Sequence, residues 1–451
     1  MDVLLAYPDY QHRDKSPPLG LMYVASVLEE QGHTVKIIDF SVDKQINFSA
    51  SIRESDIFGI SFTSQQFNEA HKLIKHVRRV SGKLKILVGG PHCTIYAKDV
   101  FDALPEIDYL VTGEGEYTTL DIVNGVHPTQ VKGLIWKEET GELHVNPSRP
   151  IIKNLDDIPF PARHLVPLTK YSCSGVILTS RGCPYRCIYC LKKAGRTWRA
   201  HSTDYVISEM NEMRENFNIH DFHICDDNFL ANPTRANEIA DAILARNWDC
   251  TLNLWGGSRV DLIAKNEALI AKLAKAGLRK TGLGLESIIP EVLDAAKKDI
   301  TIEEVEKTIT ILRKYDVSFF VFLMVGLPND TYENVAITKR WIVKNKIKDF
   351  GVSLATPYPK TELWEYVNNY GRWIVSSKDV QKNFSYHTVT KVYPMWDTID
   401  FPAEQRMKAL VELIRFSAFR TGYISRDKFA IAIKQPRLMI EWLKKWLKLS
   451  I

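Results

Sequence analysis

The chain has 451 residues, of which 45% are hydrophobic and 25% charged, with a formal net charge of +5. These proportions are ordinary for a globular protein of two or three domains, and so small a net charge argues against a dominant nucleic-acid footprint. The 7 cysteines are too sparse, and odd in number, for a disulfide framework.

The N-terminus, MDVLLAYPDYQHRD, lacks the basic region of a secretory leader. No apolar run approaches the ~20 residues that cross a bilayer. With few cysteines, a reducing cytoplasm is the expected compartment.

Strand and helix signals alternate from the start. Val3 to Tyr7 is a short apolar strand, and a polar loop then carries Pro17, Pro18, Leu19 and Gly20. Leu21 to Gln31 is a predicted helix with Leu21, Val24, Ala25 and Leu28 on one face, ended by Gly32. Further strands are predicted over Thr34 to Phe40, Ile57 to Phe62, Ile86 to Val88 and Tyr109 to Val111, with a helix from about Phe67 to Val80. This rhythm implies a doubly wound parallel sheet, whose ligands sit at the carboxyl ends of its strands. Those ends carry Ser61, Thr63, Gly89, Gly90, Gly113, Glu114, Gly115 and Glu116, mostly small residues that let a large ligand approach the backbone.

No GxGxxG follows the first strand, so a dinucleotide site is not indicated. The segments PPLGLMYVASVLEEQGHTVKIID, DIFGISFTS, ILVGGPH and DYLVTGEGE instead resemble, in this order, the cobalamin-binding domain of cobalamin-dependent radical S-adenosylmethionine (SAM) enzymes. The resemblance covers residues 1 to about 125 and implies a Rossmann-like cobalamin domain over 1–140. It adds Pro18 and Gly20 to the strand-end residues as cobalamin contacts. Proteins that ligate cobalt through histidine use Asp-x-His-x-x-Gly after the first strand. Here the loop reads Asp9-x-x-His12 without the glycine, so His12 is expected to be an ordinary loop residue.

GLIWKEETGELHVN predicts a hairpin turning at Thr140-Gly141, and a proline-rich linker follows within 141–170. Gly175 to Thr179 then opens a second series of strands. The others run from Phe222 to Cys225, Leu252 to Trp255, Thr281 to Leu285, Val321 to Val325 and Val352 to Leu354.

After the first of these comes RGCPYRCIYC, which sets Cys183, Cys187 and Cys190 in a Cys-x3-Cys-x2-Cys array. Three thiolates can hold three irons of a four-iron cluster and leave one iron open, whereas electron-transfer clusters usually take four. A structural zinc site would need a fourth ligand, and neither Cys173 nor His164 has knuckle spacing to the loop. Cys173, Cys225 and Cys250 are expected to be buried thiols.

The array, followed by DDNF, R-x-D, GLES, GLPNDT and PYPKT, resembles the radical SAM family over residues 171–365. That implies a partial (β/α)6 barrel with the cysteines at its catalytic rim. Asn329 and Lys360 stand where the family commonly has glycine. Asn tolerates left-handed backbone, and Lys360 places a cation near the rim. Asp226, Asp227 and Glu286 are candidate acceptors for the SAM ammonium and ribose, and Arg259 or Ser287 for its carboxylate. Backbone at Tyr189 and Gly326 is a candidate adenine contact. Asp226-Asp227 also reads as the start of a helix over DNFLANPTRANEIADAIL.

Residues 366–451 lose the strand rhythm. FPAEQRMKALVELIRFSAFRTGY and PRLMIEWLKKWLKLSI each read as an amphipathic helix. The resemblance implies a methyltransferase acting on an unactivated carbon through a 5′-deoxyadenosyl radical and methylcobalamin, with an external electron donor. The acceptor is expected to be a protein or peptide side chain, such as the glutamine methylated in methyl-coenzyme M reductase. A cobalamin-dependent cyclase or rearrangement enzyme, and a non-catalytic iron–sulfur electron-transfer or sensor protein, are the alternatives. No dedicated nucleic-acid module is visible.

Overall fold

The computed structural model describes residues 1–9, 15–138, 140–191, 197–375 and 394–421. His12 and the second C-terminal amphipathic segment lie outside them. The chain divides into two compact units. The first comprises 1–184, 192–254 and 275–278; the second comprises 185–191, 255–274 and 279–451.

The first unit contains a seven-stranded sheet made of β1 (Asp2–Tyr7), β2 (Thr34–Asp39), β3 (Ile57–Ser61), β4 (Lys85–Gly89), β5 (Tyr109–Val111), β6 (Leu134–Lys137) and β7 (Leu143–Val145). Its order is β2-β1-β3-β4-β5-β6-β7. The first five strands are parallel, as the β/α alternation predicts. β6 and β7 are the expected hairpin, and β6 joins the sheet antiparallel to β5.

The helix Leu19–Glu30 starts after Pro18, and Gly32 leaves it with φ 81°. That left-handed exit is costly for any residue with a Cβ. The helix packs Leu21, Met22, Ala25 and Leu28 against Val3, Leu5 and Ile37 of the sheet. Burying a side chain of that size removes about 1.5–3 kcal/mol of exposed apolar cost.

The same unit holds the opening strands of the second series. β8 (Val176–Ile177) is followed by the short strands β9 (Ser180–Arg181) and β10 (Arg199–Ala200), and then by β11 (Asp221–Ile224) and β12 (Thr251–Ser258). β11 pairs in parallel with both β8 and β12. The helix expected to open at Asp226-Asp227 instead runs Pro233–Ala245, with the Asn232 side chain accepting from the Arg235 amide. Pro233 suits a first helical position, so Asn232 is the better cap.

Cys225 corrects another expectation, because it is exposed; Cys250 is buried and Cys173 intermediate. Phe222 and Ile224 point into the apolar core at 0% and 3% exposure. Strand alternation then puts Cys225 on the opposite face.

β12 ends in the second unit, whose remaining strands are β13 (Leu278–Glu286), β14 (Ser318–Val325) and β15 (Phe350–Leu354). β14 is parallel to both neighbours. The helix Ile302–Lys314 carries a capping box between Thr301 and Glu304, worth about 1 kcal/mol. The helix Ala403–Thr421 matches the first amphipathic segment and packs Leu410 and Leu413 with Val325 and Leu354. Asn329 and Lys360 both take left-handed backbone, at φ 63° and 66°. No helix of the described residues is long and apolar enough to cross a membrane.

Candidate active site

A cavity of about 410 Å3 opens at the carboxyl ends of β1, β3, β4 and β5. It brings together Gly20, Ser61, Gly89, Gly90, Gly113, Glu114, Gly115 and Glu116 from the sequence-based set. Pro18 and Thr63 are not on its wall: Pro18 precedes the Leu19–Glu30 helix, and Thr63 forms a capping box with Gln66. An added Cβ at Gly20 or Gly113 would meet nothing within 4 Å, whereas Gly59 and Gly90 are packing requirements. A Cβ at Gly59 would stand 2.8 Å from Leu5 Cδ2, and one at Gly90 would stand 2.6 Å from Ser61 Oγ.

One wall is charged. Arg181, in β9, donates to Glu114 Oε1 at 3.0 Å and lies 2.8 Å from Glu116 Oε1. Arg199 Nη1 reaches both Glu114 oxygens, at 3.1 and 3.0 Å, and the Ile152 amide donates to Glu114 Oε2 at 2.8 Å. Burial alone would raise the Glu114 pKa, but Arg199, the Ile152 amide and Arg181 hold it below the usual glutamate value. Arg181 also lies 5.1 Å from the ring centroid of Tyr23, another wall residue.

Glu116 Oε2 is buried without a hydrogen-bond partner. Such an acceptor beside an open cavity fits a ligand with N–H donors. Leu5, Leu19, Leu21, Leu87 and Val111 complete an apolar wall. Apolar walls with a few polar groups suit a corrin, which has a flat conjugated body and a fringe of amides.

Two aspartates follow β11, and they differ. Asp226 is 1% exposed and accepts from the Thr179 amide, Thr179 Oγ1 and Ser180 Oγ, each at 2.6 Å. Both oxygens are therefore spent on the chain itself. Burial outweighs those hydrogen bonds and raises its pKa. Asp227 is exposed on the cavity wall and accepts from the Gly182 amide at 3.2 Å. It lies beside the strand-end glycines of the nucleotide-type sheet.

In the second unit the loop holding Cys187 and Cys190 is fastened by backbone. Cys190 N donates to Cys187 O, Ile188 N to Ala296 O and Leu363 N to Ile188 O, at 3.0–3.2 Å. Cys187 is 8% exposed, while Cys190 is exposed. Arg259 lies 3.7 Å from the Tyr185 ring centroid and donates to Asp261 Oδ1 and Lys298 O. Its Nη1 is 4.0 Å from Cys187 Sγ. Arg259 thus braces the cysteine loop with the donors a SAM carboxylate would need.

Glu286, at φ 67°, ends β13 and pairs with Lys298 at 3.2 Å. Lys298 Nζ also donates to Tyr189 Oη at 3.2 Å. Burial, then Glu286 and Cys187, push the Tyr189 phenol well above its ordinary pKa, so it stays protonated. Ser287 accepts from the Ile289 amide, and Gly326 donates to Asp330 Oδ2. Glu286, Ser287 and Asp330 share one small pocket. Sequence reasoning missed Arg181, Arg199 and Lys298. Arg181 alone carried a signal, standing inside RGCP.

A Rossmann-like sheet with a cavity at its strand ends, in a chain that continues into a Cys-x3-Cys-x2-Cys loop and a second series of parallel strands, has the organisation of a cobalamin-dependent radical SAM enzyme. Comparison with known proteins agrees. The B12-binding domain family matches residues 13–123, and the radical SAM superfamily matches 177–342. An uncharacterized methyltransferase of Pyrococcus horikoshii is 30% identical over 95% of both chains. The anaerobic magnesium-protoporphyrin IX monomethyl ester cyclase of Rubrivivax gelatinosus is 26% identical over 81% of this chain and 70% of its own. The radical SAM methyltransferase TsrM of Kitasatospora setae, solved with tryptophan substrate and a SAM analog, shares the fold. Its TM-score is 0.68 at 22% identity, over 82% of this chain and 76% of TsrM.

The chain belongs to the cobalamin-dependent radical SAM methyltransferase family. Its cofactors are cobalamin, SAM and a four-iron–four-sulfur cluster.

Proposed function

We propose that this methyltransferase acts on an unactivated carbon of its acceptor. The observation that carries the reading is Arg181, which stands two residues before Cys183 and is part of the cobalamin cavity wall. When bound, the cluster and SAM supply a carbon-radical oxidant, and cobalamin supplies the methyl group; an external donor provides electrons.

The residues of this chain bind, orient and exclude water. Cys183, Cys187 and Cys190 hold the cluster. Glu286, Ser287 and the Gly326 backbone, at the carboxyl ends of β13 and β14, receive SAM. Glu116 would accept from the corrin amides, while Gly20 and Gly113, where an added Cβ would meet nothing within 4 Å, leave room for the corrin to approach the backbone. Asp226 fixes Thr179 and Ser180 just before the cysteine loop. Arg259 and Lys298 brace that loop and Glu286. In organisation we propose a cobalamin domain over 1–140, a linker over 141–170, the radical SAM domain over 171–365 and a helical region over 366–451.

Two acceptor classes are compatible with this chemistry: a protein or peptide side chain, glutamine included, and a small molecule. The similar proteins, a porphyrin ester cyclase and a tryptophan-bound methyltransferase, favour the small molecule. The cyclase also keeps ring formation as the rival outcome.

The test uses reconstituted protein with methyl-labelled SAM, titanium(III) citrate and an anaerobic extract of the source cells. A labelled methyl group on a product carbon is expected. Deoxyadenosine formed with a product that gains no methyl would favour the cyclase reading.

A further inference from the structure

We propose that the open face of the β13–β14–β15 segment is an acceptor subsite for a small molecule with a flat apolar body and an anionic group. This rests on the methyl-transfer reading above and names its substrate class.

The argument starts from strand alternation. In β14, Val321, Leu323 and Val325 are 0–3% exposed, whereas Phe322 between them is 38% exposed. Successive side chains point to opposite faces, so Phe320, Phe322 and Met324 share the face away from that packed core. Register places Gly282 opposite Phe320, and Gly284 and Gly351 on either side of Phe322.

Gly282 and Gly351 are steric necessities for the rings, while Gly284 lies under Glu286 Oε1 and Lys298 Nζ. A Cβ on Gly282 would lie 2.9 Å from Phe322 Cε2, and one on Gly351 would lie 2.9 Å from Phe320 Cζ. The neighbouring strands therefore give up their side chains so that two phenyl rings can spread over the sheet. The rings meet edge-on at 4.9 Å. A large apolar side chain left this exposed in mid-strand, with its neighbours cleared to glycine, is a binding surface rather than a packed core.

Charge selects the occupant. Lys280 lies on the same face by alternation, and its Nζ stands 4.9 Å from the Trp255 ring centroid. It has no carboxylate partner among the described residues, in contrast to Lys298, which is paired with Glu286. At the other end of β13 stands Glu286, the SAM-side carboxylate. The face thus runs from an unpaired cation, across two phenyl rings, to the site of radical generation. A flat apolar body on the rings with its anion at Lys280 satisfies both; an amide side chain would leave the rings wet and the lysine unanswered.

The test is calorimetric titration of full-length protein carrying cluster and cobalamin, without reductant, with naphthylacetate, its neutral analogue naphthylethanol, and N-acetylglutaminamide. Naphthylacetate is expected to bind one per chain, with Phe322→Asn weakening it roughly five- to tenfold. Lys280→Gln should weaken naphthylacetate and leave naphthylethanol unchanged, which keeps the test valid if Phe322→Asn fails to fold. Unchanged binding in both variants, no binding of naphthylacetate, or tighter binding of N-acetylglutaminamide would overturn the subsite. Deoxyadenosine formation by the same preparation reports the methyl-transfer reading separately. A protein that cleaves SAM yet ignores naphthylacetate refutes the subsite alone.

Discussion

Arg181 Nη2 lies 2.8 Å from Glu116 Oε1, joining the residue two before Cys183 to the start of the helix Glu116–Val123 at the cavity wall. Both side chains are under 10% exposed. Breaking a buried pair by removing one partner typically costs 3–5 kcal/mol, because the other charge is stranded. Arg199 still serves Glu114, so Arg181→Met should sit near the low end, about 3 kcal/mol by anaerobic urea denaturation. The same variant should retain less hydroxocobalamin after desalting. Wild-type stability and corrin content would remove the clamp from the account.

Glu114 predicts a pH dependence. Its folded pKa lies below the usual glutamate value, so the unfolded chain takes up the proton first. The stabilisation is complete above about pH 5 and is lost as pH falls through the folded pKa. The stability advantage of wild type over Glu114→Gln should therefore be flat from about pH 6 to 8 and shrink in acid. An advantage that grows on acidification contradicts the assignment.

Lys298→Met would leave Glu286 buried beside Tyr189 without its cation. A hydrogen bond to a charged group is worth about 1.5–3 kcal/mol, so SAM affinity should fall roughly ten- to a hundredfold. The spectroscopic response of the reduced cluster to added SAM reads this directly. An unshifted titration midpoint would mean that Lys298 has no part in placing Glu286.

The two cofactors should separate cleanly. Cys187→Ala should lose iron and all deoxyadenosine formation, yet hold cobalamin as wild type does, since no cysteine lines the corrin cavity. Chelation of iron from the wild-type protein should reproduce that pattern. Loss of corrin along with iron would argue that the cavity depends on the cysteine loop.

Much of this was legible in the chain because local rules governed it. Leu21 to Gln31 and Phe67 to Val80 announced helices by periodicity. Gly32 announced a left-handed exit, and Thr140-Gly141 a hairpin. The strand-end residues other than Thr63 assembled into one cavity because the carboxyl edge of a parallel sheet gathers them.

What escaped was non-local. Arg181 meets Glu114 across 67 positions, and Lys298 meets Tyr189 across 109, separations that no motif records. Asp226 and Asp227 read as alike, yet alternation at the end of β11 buried one and exposed the other. Pro233 displaced the helix start that their charges implied.

The most direct test of the central claim is anaerobic reconstitution with iron, sulfide and hydroxocobalamin, followed by SAM and titanium(III) citrate. Bound corrin and 5′-deoxyadenosine would be measured on the same sample. The account predicts one corrin per chain together with deoxyadenosine that disappears in Cys187→Ala. Deoxyadenosine without bound corrin would contradict the cavity assignment, and an intact, reduced cluster that never cleaves SAM would contradict the enzyme itself.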